Sequence, residues 1–156
     1  INDAIRNNLP HLLMTYDVIH LCGKGKKDDA LEGTKGYKQF EYVTDELPDL
    51  LHASDLIISR AGSNSIFEFM ALNKPMLLIP LSKQKSRGDQ ILNANLFEKN
   101  EWALVLEEED VTTESLLASI SHLATQAPHL KAKMDEAEMP KTPEEMVKII
   151  TSYSLI

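Results

Sequence analysis

Residues 55–68 of the chain read Asp55-Leu56-Ile57-Ile58-Ser59-Arg60-Ala61-Gly62-Ser63-Asn64-Ser65-Ile66-Phe67-Glu68. The continuous apolar run at 56–58 is typical of a short parallel strand that is covered on both faces. Gly62 permits a sharp turn and a close approach of another molecule to the backbone. Ser63 or Asn64 is suited to cap a helix that follows. The segment therefore predicts a strand, a tight turn and the start of a helix.

The first turn of that helix is a candidate ligand site. Its N–H groups and the helix dipole favour an electron-rich ligand. Glu68 lies about one turn further on, where its carboxylate is suited to bind the vicinal hydroxyls of a ribose or a sugar. The same pattern is also typical of an ordinary strand–turn–helix crossover with a surface glutamate, because α/β domains contain many such turns.

Length and composition are those of one globular domain. The chain has 156 residues, of which 43% are hydrophobic and 26% are charged, a profile typical of soluble proteins. Its net charge of −8 argues against nucleic acid as the main partner. No apolar run approaches the roughly 20 residues that a spanning helix needs. The single cysteine, Cys22, leaves no internal disulfide.

The chain begins with Ile1 rather than Met, and the apolar spacing of residues 1–13 is already helical. We therefore expect a fragment that is truncated at its amino terminus.

Strands and helices are predicted to alternate along the chain. Predicted strands cover residues 17–22, 37–43, 56–58, 76–79 and 102–106. Predicted helices cover about 2–14, 28–32, 44–53, 63–72, 90–99, 113–125, 128–138 and 144–153. Thr44 is expected to cap the third of these, and residues 107–110 are expected to form a solvated acidic turn. Since hairpin signals are missing, the alternation indicates an α/β fold with a doubly wound parallel sheet.

Three polar loops follow predicted strands, at residues 23–27, 60–63 and 80–90. Because the carboxyl ends of parallel strands meet at one edge of a sheet, we expect these loops to lie together. Open α/β sheets bind their ligands at this edge, and the polar loops favour a nucleotide-like ligand there.

Three segments in register resemble the carboxy-terminal domain of the MurG family, the UDP-N-acetylglucosamine (UDP-GlcNAc) transferases of peptidoglycan synthesis. They are Ser59-Arg60-Ala61-Gly62-Ser63-Asn64-Ser65-Ile66-Phe67-Glu68, Lys74-Pro75-Met76-Leu77-Leu78-Ile79-Pro80 and Arg87-Gly88-Asp89-Gln90-Ile91-Leu92-Asn93-Ala94. The order and spacing match over about residues 1–111. The resemblance implies the GT-B arrangement of two Rossmann-like domains, of which residues 1–156 would be the carboxy-terminal, UDP-GlcNAc-binding one, without the acceptor domain.

The resemblance also implies a role for each candidate residue in donor binding. Glu68 would bind the ribose hydroxyls, and the backbone of Gly62 and Ser63 would lie beside the sugar and the diphosphate. Asp89 and Gln90 would contact the GlcNAc hydroxyls, with Asn93 in support. The backbone near Val43 and Thr44 would pair with uracil, and Gly23 and Gly25 would border the nucleotide. Arg60 would either order its loop or touch the ligand.

By resemblance, the whole protein is a hexosyltransferase that moves GlcNAc to the 4-hydroxyl of the muramyl sugar of lipid I, giving lipid II with inversion. This reaction needs no cofactor, and helix amino termini can stabilise the departing UDP without a metal. The family acts at the cytoplasmic face of the bacterial plasma membrane, with peripheral attachment and lipid I binding through the acceptor domain.

No catalytic residue is expected in the present chain. The general base belongs to the acceptor side, and the family's glycine-rich phosphate loop would precede residue 1. We therefore expect these 156 residues alone not to transfer sugar.

Two other hypotheses remain open from the sequence. One is a separate UDP-sugar binding module that completes a split transferase with another chain. The other is a UDP-GlcNAc epimerase-like domain, which would need acid and base groups inside the pocket.

Overall fold

The computed structural model describes residues 1–83 and 88–137, which form parallel strands joined by helices. The strands are β1 (Val18–Leu21), β2 (Tyr37–Phe40), β3 (Ile57–Ser59), β4 (Met76–Leu78) and β5 (Leu104–Val105). The helices are α1 (Asn2–Asn7), α2 (Leu9–Leu12), α3 (Leu47–Ala53), α4 (Ser63–Ala71), α5 (Asp89–Lys99) and α6 (Thr113–Glu136), with short 3-10 turns at Asp29–Leu31 and Glu108–Asp110. The helix predicted over 144–153 lies outside the described residues.

Every strand pair in the described part of the chain is parallel, as the alternation of strands and helices predicts. The pairs form two hydrogen-bonded groups, β1-β2 and β3-β4-β5. Val18 is in register with Tyr37, Ile57 with Met76, and Leu77 with Leu104. The sequence predicted one sheet, whereas no ladder among the described residues joins β1 to β3.

Side chains alternate along β4 and divide the apolar core into two layers. Met76 and Leu78 pack on one face of the sheet, in a cluster with Ile66 of α4 and Phe97 of α5. Leu77 and Ile79 pack on the other face. Their cluster is completed by Ile5, Leu12, Leu116, Ile120, Leu123 and Leu130, which come from α1, α2 and α6. Helices therefore cover both faces, and the predicted doubly wound α/β class is confirmed.

The first predicted helix, 2–14, is two short helices with Asn8 between them. Pro10 has no backbone N–H to donate to the carbonyl four residues earlier, so the helical hydrogen bonding is interrupted here. Asn8 is buried at the break, where its side-chain amide donates to the Ala4 carbonyl at 2.8 Å.

The two helices predicted over 113–125 and 128–138 are a single helix, α6, of 24 residues with Pro128 inside it. Proline costs one helical hydrogen bond, but Leu123 on one side of it and Leu130 and Met134 on the other are all buried. Their burial keeps the helix continuous. Its amino terminus has a capping box in which the Thr112 hydroxyl accepts from the Ser115 N–H at 3.1 Å.

Two predicted caps are wrong. Helix α3 begins at Leu47, not at Thr44, and its cap residue is Glu46. Pro48 lies in the first turn, where its missing N–H is harmless and its fixed φ favours a helix start. Likewise, Ser63 and Asn64 lie inside α4, and the cap residue is Gly62, which has no side chain for this purpose.

A buried polar network joins α1 to the β1-β2 pair. His20 lies 2.8 Å by its Nδ1 atom from the Tyr37 hydroxyl and 3.1 Å by its Nε2 atom from Asn2 Oδ1. Because Asn2 Oδ1 only accepts, Nε2 donates and Nδ1 accepts from the tyrosine. Burial, with the nearby positive charge of Arg6, lowers the pKa of His20 below its ordinary value. The histidine is therefore held neutral.

No helix in the described ranges is both long and apolar enough to cross a lipid bilayer.

Candidate functional site

Helix α4 presents an uncapped amino terminus to open space. Its cap residue, Gly62, has φ −70° and ψ 132°, and no side chain bonds to the first turn. This is ordinary extended backbone that any residue can adopt, so the turn itself does not depend on glycine. A Cβ atom added to Gly62 would meet no atom of residues 1–83 and 88–137 within 4 Å. The N–H groups at the helix start are thus open to a ligand that approaches this backbone.

Glu68 and Ser65 lie on the same face of α4, since they are three residues apart. Both line a cavity of about 1710 Å³, and the Glu68 side chain is exposed. Within residues 1–83 and 88–137, Glu68 makes no hydrogen bond or ion pair. Its carboxylate is therefore directed at solvent within a concave surface, as hydroxyl binding requires.

Arg60 connects the loops that follow three strands. Its Nη1 atom donates to the carbonyls of Ile79 and Pro80 at 3.1 and 3.2 Å. Its Nη2 atom bonds to Glu108 Oε1 at 2.6 Å, and Glu108 Oε2 accepts from the Ser82 N–H at 3.3 Å. These contacts fix the loops after β3, β4 and β5 relative to one another. They agree with an ordering role for Arg60, one of the two roles that the resemblance implies.

Glu108 links these loops, a role that the sequence interpretation missed. The acidic run at 107–110 was expected to be solvated, yet the Glu108 side chain is 18% exposed and ion-paired. No local signal distinguishes it from the exposed Glu109 beside it. The pairing arises only because β5 lies next to β4, which brings the turn after β5 to Arg60.

Gln90 and Asn93 attach the start of α5 to neighbouring loops. The Gln90 side-chain oxygen accepts from the Leu81 N–H at 3.1 Å, and the Asn93 amide donates to the Ala61 carbonyl at 3.0 Å. The side-chain N–H groups of Gln90 remain available as hydrogen-bond donors. Asp89 is exposed at the first residue of α5.

The loop after β1 contains two glycines with positive φ, Gly23 at 93° and Gly25 at 69°. The Gly25 N–H donates to the Glu41 carboxylate at 3.0 Å, which ties this loop to the end of β2. Val43 and Thr44 follow soon after Glu41, and no backbone hydrogen bond of Val43 occurs among the described residues.

Residues from both the β1 side and the β3 side of the fold line the large cavity. Lys26, beside the glycine loop, lines it together with residues of β1, whereas Arg60 and Glu68 line it beside β3. The remaining predicted site residues lie outside its lining, and they are Gly23, Gly25, Val43, Thr44, Gly62, Ser63, Asp89, Gln90 and Asn93. The side chains of Arg60, Gln90 and Asn93 link the loops after β3 and β4 to the start of α5. Four of the remaining residues belong to these linked segments: Gly62, Ser63, Gln90 and Asn93.

Residues 1–149 match the sequence profile of the Glycosyltransferase family 28 C-terminal domain. A UDP-N-acetylglucosamine–N-acetylmuramyl-(pentapeptide) pyrophosphoryl-undecaprenol N-acetylglucosamine transferase from Geobacillus thermodenitrificans is 60% identical over 137 residues, which are 88% of the chain and 38% of that protein. A transferase of the same name from Clostridium botulinum (strain 657 / Type Ba4) is 48% identical over 154 residues, 99% of the chain and 44% of that protein. The chain thus spans about four tenths of the length of these relatives.

Two solved structures share the fold at low sequence identity. The crystal structure of Acinetobacter baumannii MurG has a TM-score of 0.72 at 20% identity, over 96% of the chain and 46% of that protein. The glycotransferase of kitacinnamycin has a TM-score of 0.62 at 19% identity, over 75% and 29%. The fold is therefore the Rossmann-like α/β fold found in these glycosyltransferases.

Proposed function

The chain belongs to the family of glycosyltransferase family 28 C-terminal domains, and on that premise we propose that it forms the donor-binding half of an inverting hexosyltransferase that uses UDP-GlcNAc. One observation carries the proposal: among the described residues, no side chain caps the start of α4 or fills the space beside Gly62, and an exposed carboxylate lies about one turn further along the same helix.

The geometry of α4 suits a ligand with a diphosphate beside a ribose. The N–H groups of the first turn and the helix dipole stabilise negative charge. At a rise of about 1.5 Å per residue, Glu68 lies about 7 Å beyond the first of these groups along the axis. A carboxylate accepts hydrogen bonds from both hydroxyls of a vicinal pair, whereas it repels phosphate. The start of α4 and the carboxylate about one turn along it thus favour two different parts of one nucleotide sugar.

Cations and amides around α4 extend the proposed donor site. Lys26 lines the same cavity as Glu68 and adds a positive charge to it. Asp89 and the donors of Gln90 lie at the start of α5, where they would bind GlcNAc hydroxyls, with Asn93 holding α5 against the α4 loop. Val43, Thr44, Gly23 and Gly25 would border the uridine. In this arrangement the chain binds and orients the donor and stabilises the UDP leaving group.

The acceptor is assigned from the relatives. Their name specifies transfer of N-acetylglucosamine to an N-acetylmuramyl-(pentapeptide) pyrophosphoryl-undecaprenol. We propose the same acceptor, lipid I, for the whole protein, bound by a separate acceptor domain that also supplies the general base. Such a lipid acceptor calls for peripheral attachment at the cytoplasmic face of the bacterial plasma membrane.

Titration of the chain with UDP-GlcNAc, followed through backbone amide NMR shifts, tests the donor site. We expect the largest shifts at Ser63, Asn64, Ser65 and Glu68, with smaller shifts for UDP alone at the α5 start. UDP-glucose serves as the competitor that lacks the N-acetyl group. Shifts confined to residues far from α4 and α5 would refute the proposed donor site.

A further inference from the structure

The carboxylate of Glu108 lies between hydrogen-bond donors from two different loops. Its Oε1 atom is 2.6 Å from Nη2 of Arg60, in the loop after β3. Its Oε2 atom accepts from the Ser82 N–H, in the loop after β4, at 3.3 Å. Both side chains of the ion pair are partly buried, and Ser82 is buried. Each oxygen thus has a partner of its own, and turning the carboxylate would take this acceptor away from both donors.

Through the loop after β4, Glu108 acts on the orientation of the Gln90 amide. Leu81 immediately precedes Ser82, and the Leu81 N–H donates to Gln90 Oε1 at 3.1 Å. The loop therefore holds the amide oxygen, and the NH2 group is the part of the amide that can donate to a ligand. An amide turned by 180° would set its own N–H groups against the Leu81 N–H, so the observed orientation depends on the position of Leu81.

Through the loop after β3, Glu108 acts on a second polar residue of α5. Ala61 immediately follows Arg60, and the Ala61 carbonyl accepts from the Asn93 amide at 3.0 Å. Helix α5 is therefore attached at Gln90 and at Asn93 to two loops that share Glu108 as a common contact.

We propose that Glu108 is a positioning residue for the sugar of the nucleotide-sugar donor. It sets the place and the orientation of Gln90 by holding the loop after β4 against Arg60, and it does not touch the ligand itself. This role deepens the proposed function and rests on it, because the start of α5 is the part of the donor site proposed to bind the sugar. Substitution of Glu108 should therefore weaken the binding of the sugar part of the donor and spare the binding of UDP.

Glu108→Gln is the most informative variant, since glutamine has nearly the same size and shape. An amide has one acceptor oxygen, whereas Arg60 and Ser82 both donate, so the new NH2 group would face one of these two donors. Glu109→Gln, the same substitution at the exposed neighbouring residue, is the matched control.

Hydrogen exchange in the absence of ligand tests the connection from Glu108 to Gln90. We expect the Leu81 amide to exchange at least about fivefold faster in Glu108→Gln, because the loop that carries it is released. The Ile57 amide, which donates to the Pro75 carbonyl beside the β3-β4 ladder at 2.9 Å, is the internal reference for a general loss of stability. Glu109→Gln should change neither amide.

Calorimetric titrations with UDP-GlcNAc and with UDP test the effect on the sugar. In Glu108→Gln the affinity for UDP-GlcNAc should fall at least about fivefold, as expected for the loss of hydrogen bonds to the sugar, while the affinity for UDP stays within about twofold. A pair that only stabilises the fold would change both affinities alike. Glu109→Gln should change neither.

A double variant tests whether Glu108 acts through Gln90. Gln90→Ala should show the same selective loss for UDP-GlcNAc. Glu108→Gln combined with Gln90→Ala should lose about as much as the larger of the two single variants, since residues that act on one contact are not additive. If Glu108→Gln does not fold, Glu108→Asp takes its place with the same expected directions, because it keeps both acceptor oxygens on a side chain that is one methylene shorter.

Three results would overturn the positioning role: equal acceleration of exchange at Leu81 and Ile57, equal losses of affinity for UDP and UDP-GlcNAc, and a loss in the double variant equal to the product of the single losses. Failure of the unsubstituted chain to bind UDP-GlcNAc would instead refute the donor site, and the sugar role of Glu108 with it. Normal donor binding together with unchanged Leu81 exchange in Glu108→Gln would refute the positioning role alone.

Discussion

Glycine often serves both to permit a backbone conformation that other residues avoid and to leave room for a ligand, and at Gly62 only the second role applies. Its backbone is extended and its Cα faces open space, so alanine fits the folded chain without strain. We expect Gly62→Ala to leave the free energy of unfolding unchanged or to raise it by about 0.4–1 kcal/mol, because alanine restricts the unfolded chain. UDP-GlcNAc binding should nevertheless weaken at least tenfold, as the methyl group would occupy the ligand's approach. Parallel thermal melts and calorimetric titrations check both effects, and undiminished binding would remove Gly62 from the site.

Glu68 is the residue on which the ribose assignment depends. Hydrogen bonds to a charged group contribute about 1.5–3 kcal/mol each, so Glu68→Ala should weaken UDP-GlcNAc binding by at least about tenfold. Glu68→Gln retains one acceptor oxygen and should lose less. Glu114→Ala, an exposed glutamate in the first turn of α6, is the matched control. An equal affinity in the Glu68 and Glu114 variants would contradict the assignment.

His20 makes the stability of the chain depend on pH. Its pKa is lowered in the folded state, chiefly by burial, from an ordinary value of 6.5. The unfolded chain therefore binds the extra proton first as the pH falls. The stabilisation is fully present above about 6.5 and is lost progressively as the pH falls below it. Chemical denaturation between pH 7.5 and 5.5 should show this loss, and His20→Gln should flatten the slope. An unaltered slope in the variant would assign the effect to other groups.

The sequence alone does not predict which single residue caps a helix or which distant residue it pairs with. Thr44, Ser63 and Asn64 have the right chemistry for helix caps, yet the helices start at Leu47 and Ser63. Any of several neighbouring residues can serve as a cap, and tertiary packing selects the first turn. The Glu108 ion pair is even harder to predict from local sequence, because its partner, Arg60, lies 48 positions away in the sequence.

At the scale of elements, strands with continuous apolar runs are predicted best. The expected strands at 17–22, 56–58 and 76–79 match β1, β3 and β4 to within one residue at each end. Burial on both faces gives these strands a strong signal. The predicted break before Pro128 failed because core packing on both sides of the proline outweighs one missing hydrogen bond.

The elements β3, β4 and β5 are tied together at their carboxyl ends by Glu108. Glu108→Ala removes the partner of Arg60 and the acceptor of the Ser82 N–H. We expect destabilisation of about 1–3 kcal/mol, below the value for a fully buried pair because both side chains are partly exposed. Hydrogen exchange at Ser82 should also accelerate. The exposed neighbour variant Glu109→Ala is the control, and equal effects of the two substitutions would contradict the structural role of this pair.

At the scale of the whole molecule, the alternation of strands and helices predicted the fold class. The division into two ladders was not predicted. Strand order depends on which segments are adjacent in space, and no pattern within residues 1–156 reports that β1 and β3 lie apart.

We proposed that the donor site and the acceptor site lie in two separate domains, and this proposal predicts whether the 156-residue chain alone turns over substrate. The 156-residue chain should not transfer GlcNAc from UDP-GlcNAc to a lipid I analogue, because it supplies donor contacts but no acceptor site. A radiolabel transfer assay checks this, with a full-length relative as the positive control. Turnover by the 156 residues alone would refute the proposed division.

Among residues 1–83 and 88–137, no backbone ladder joins β1-β2 to β3-β4-β5, and α6 packs against both β4 and α1. Opening of the β1-β2 unit therefore breaks no ladder with the remaining strands. We expect its local unfolding free energy, which depends on the contacts of α1 and on the buried His20 network, to lie below that of the β3-β4-β5 unit. Proteases that sample transient openings will accordingly cut the segment between β1 and β2 before they reach the rest of the polypeptide.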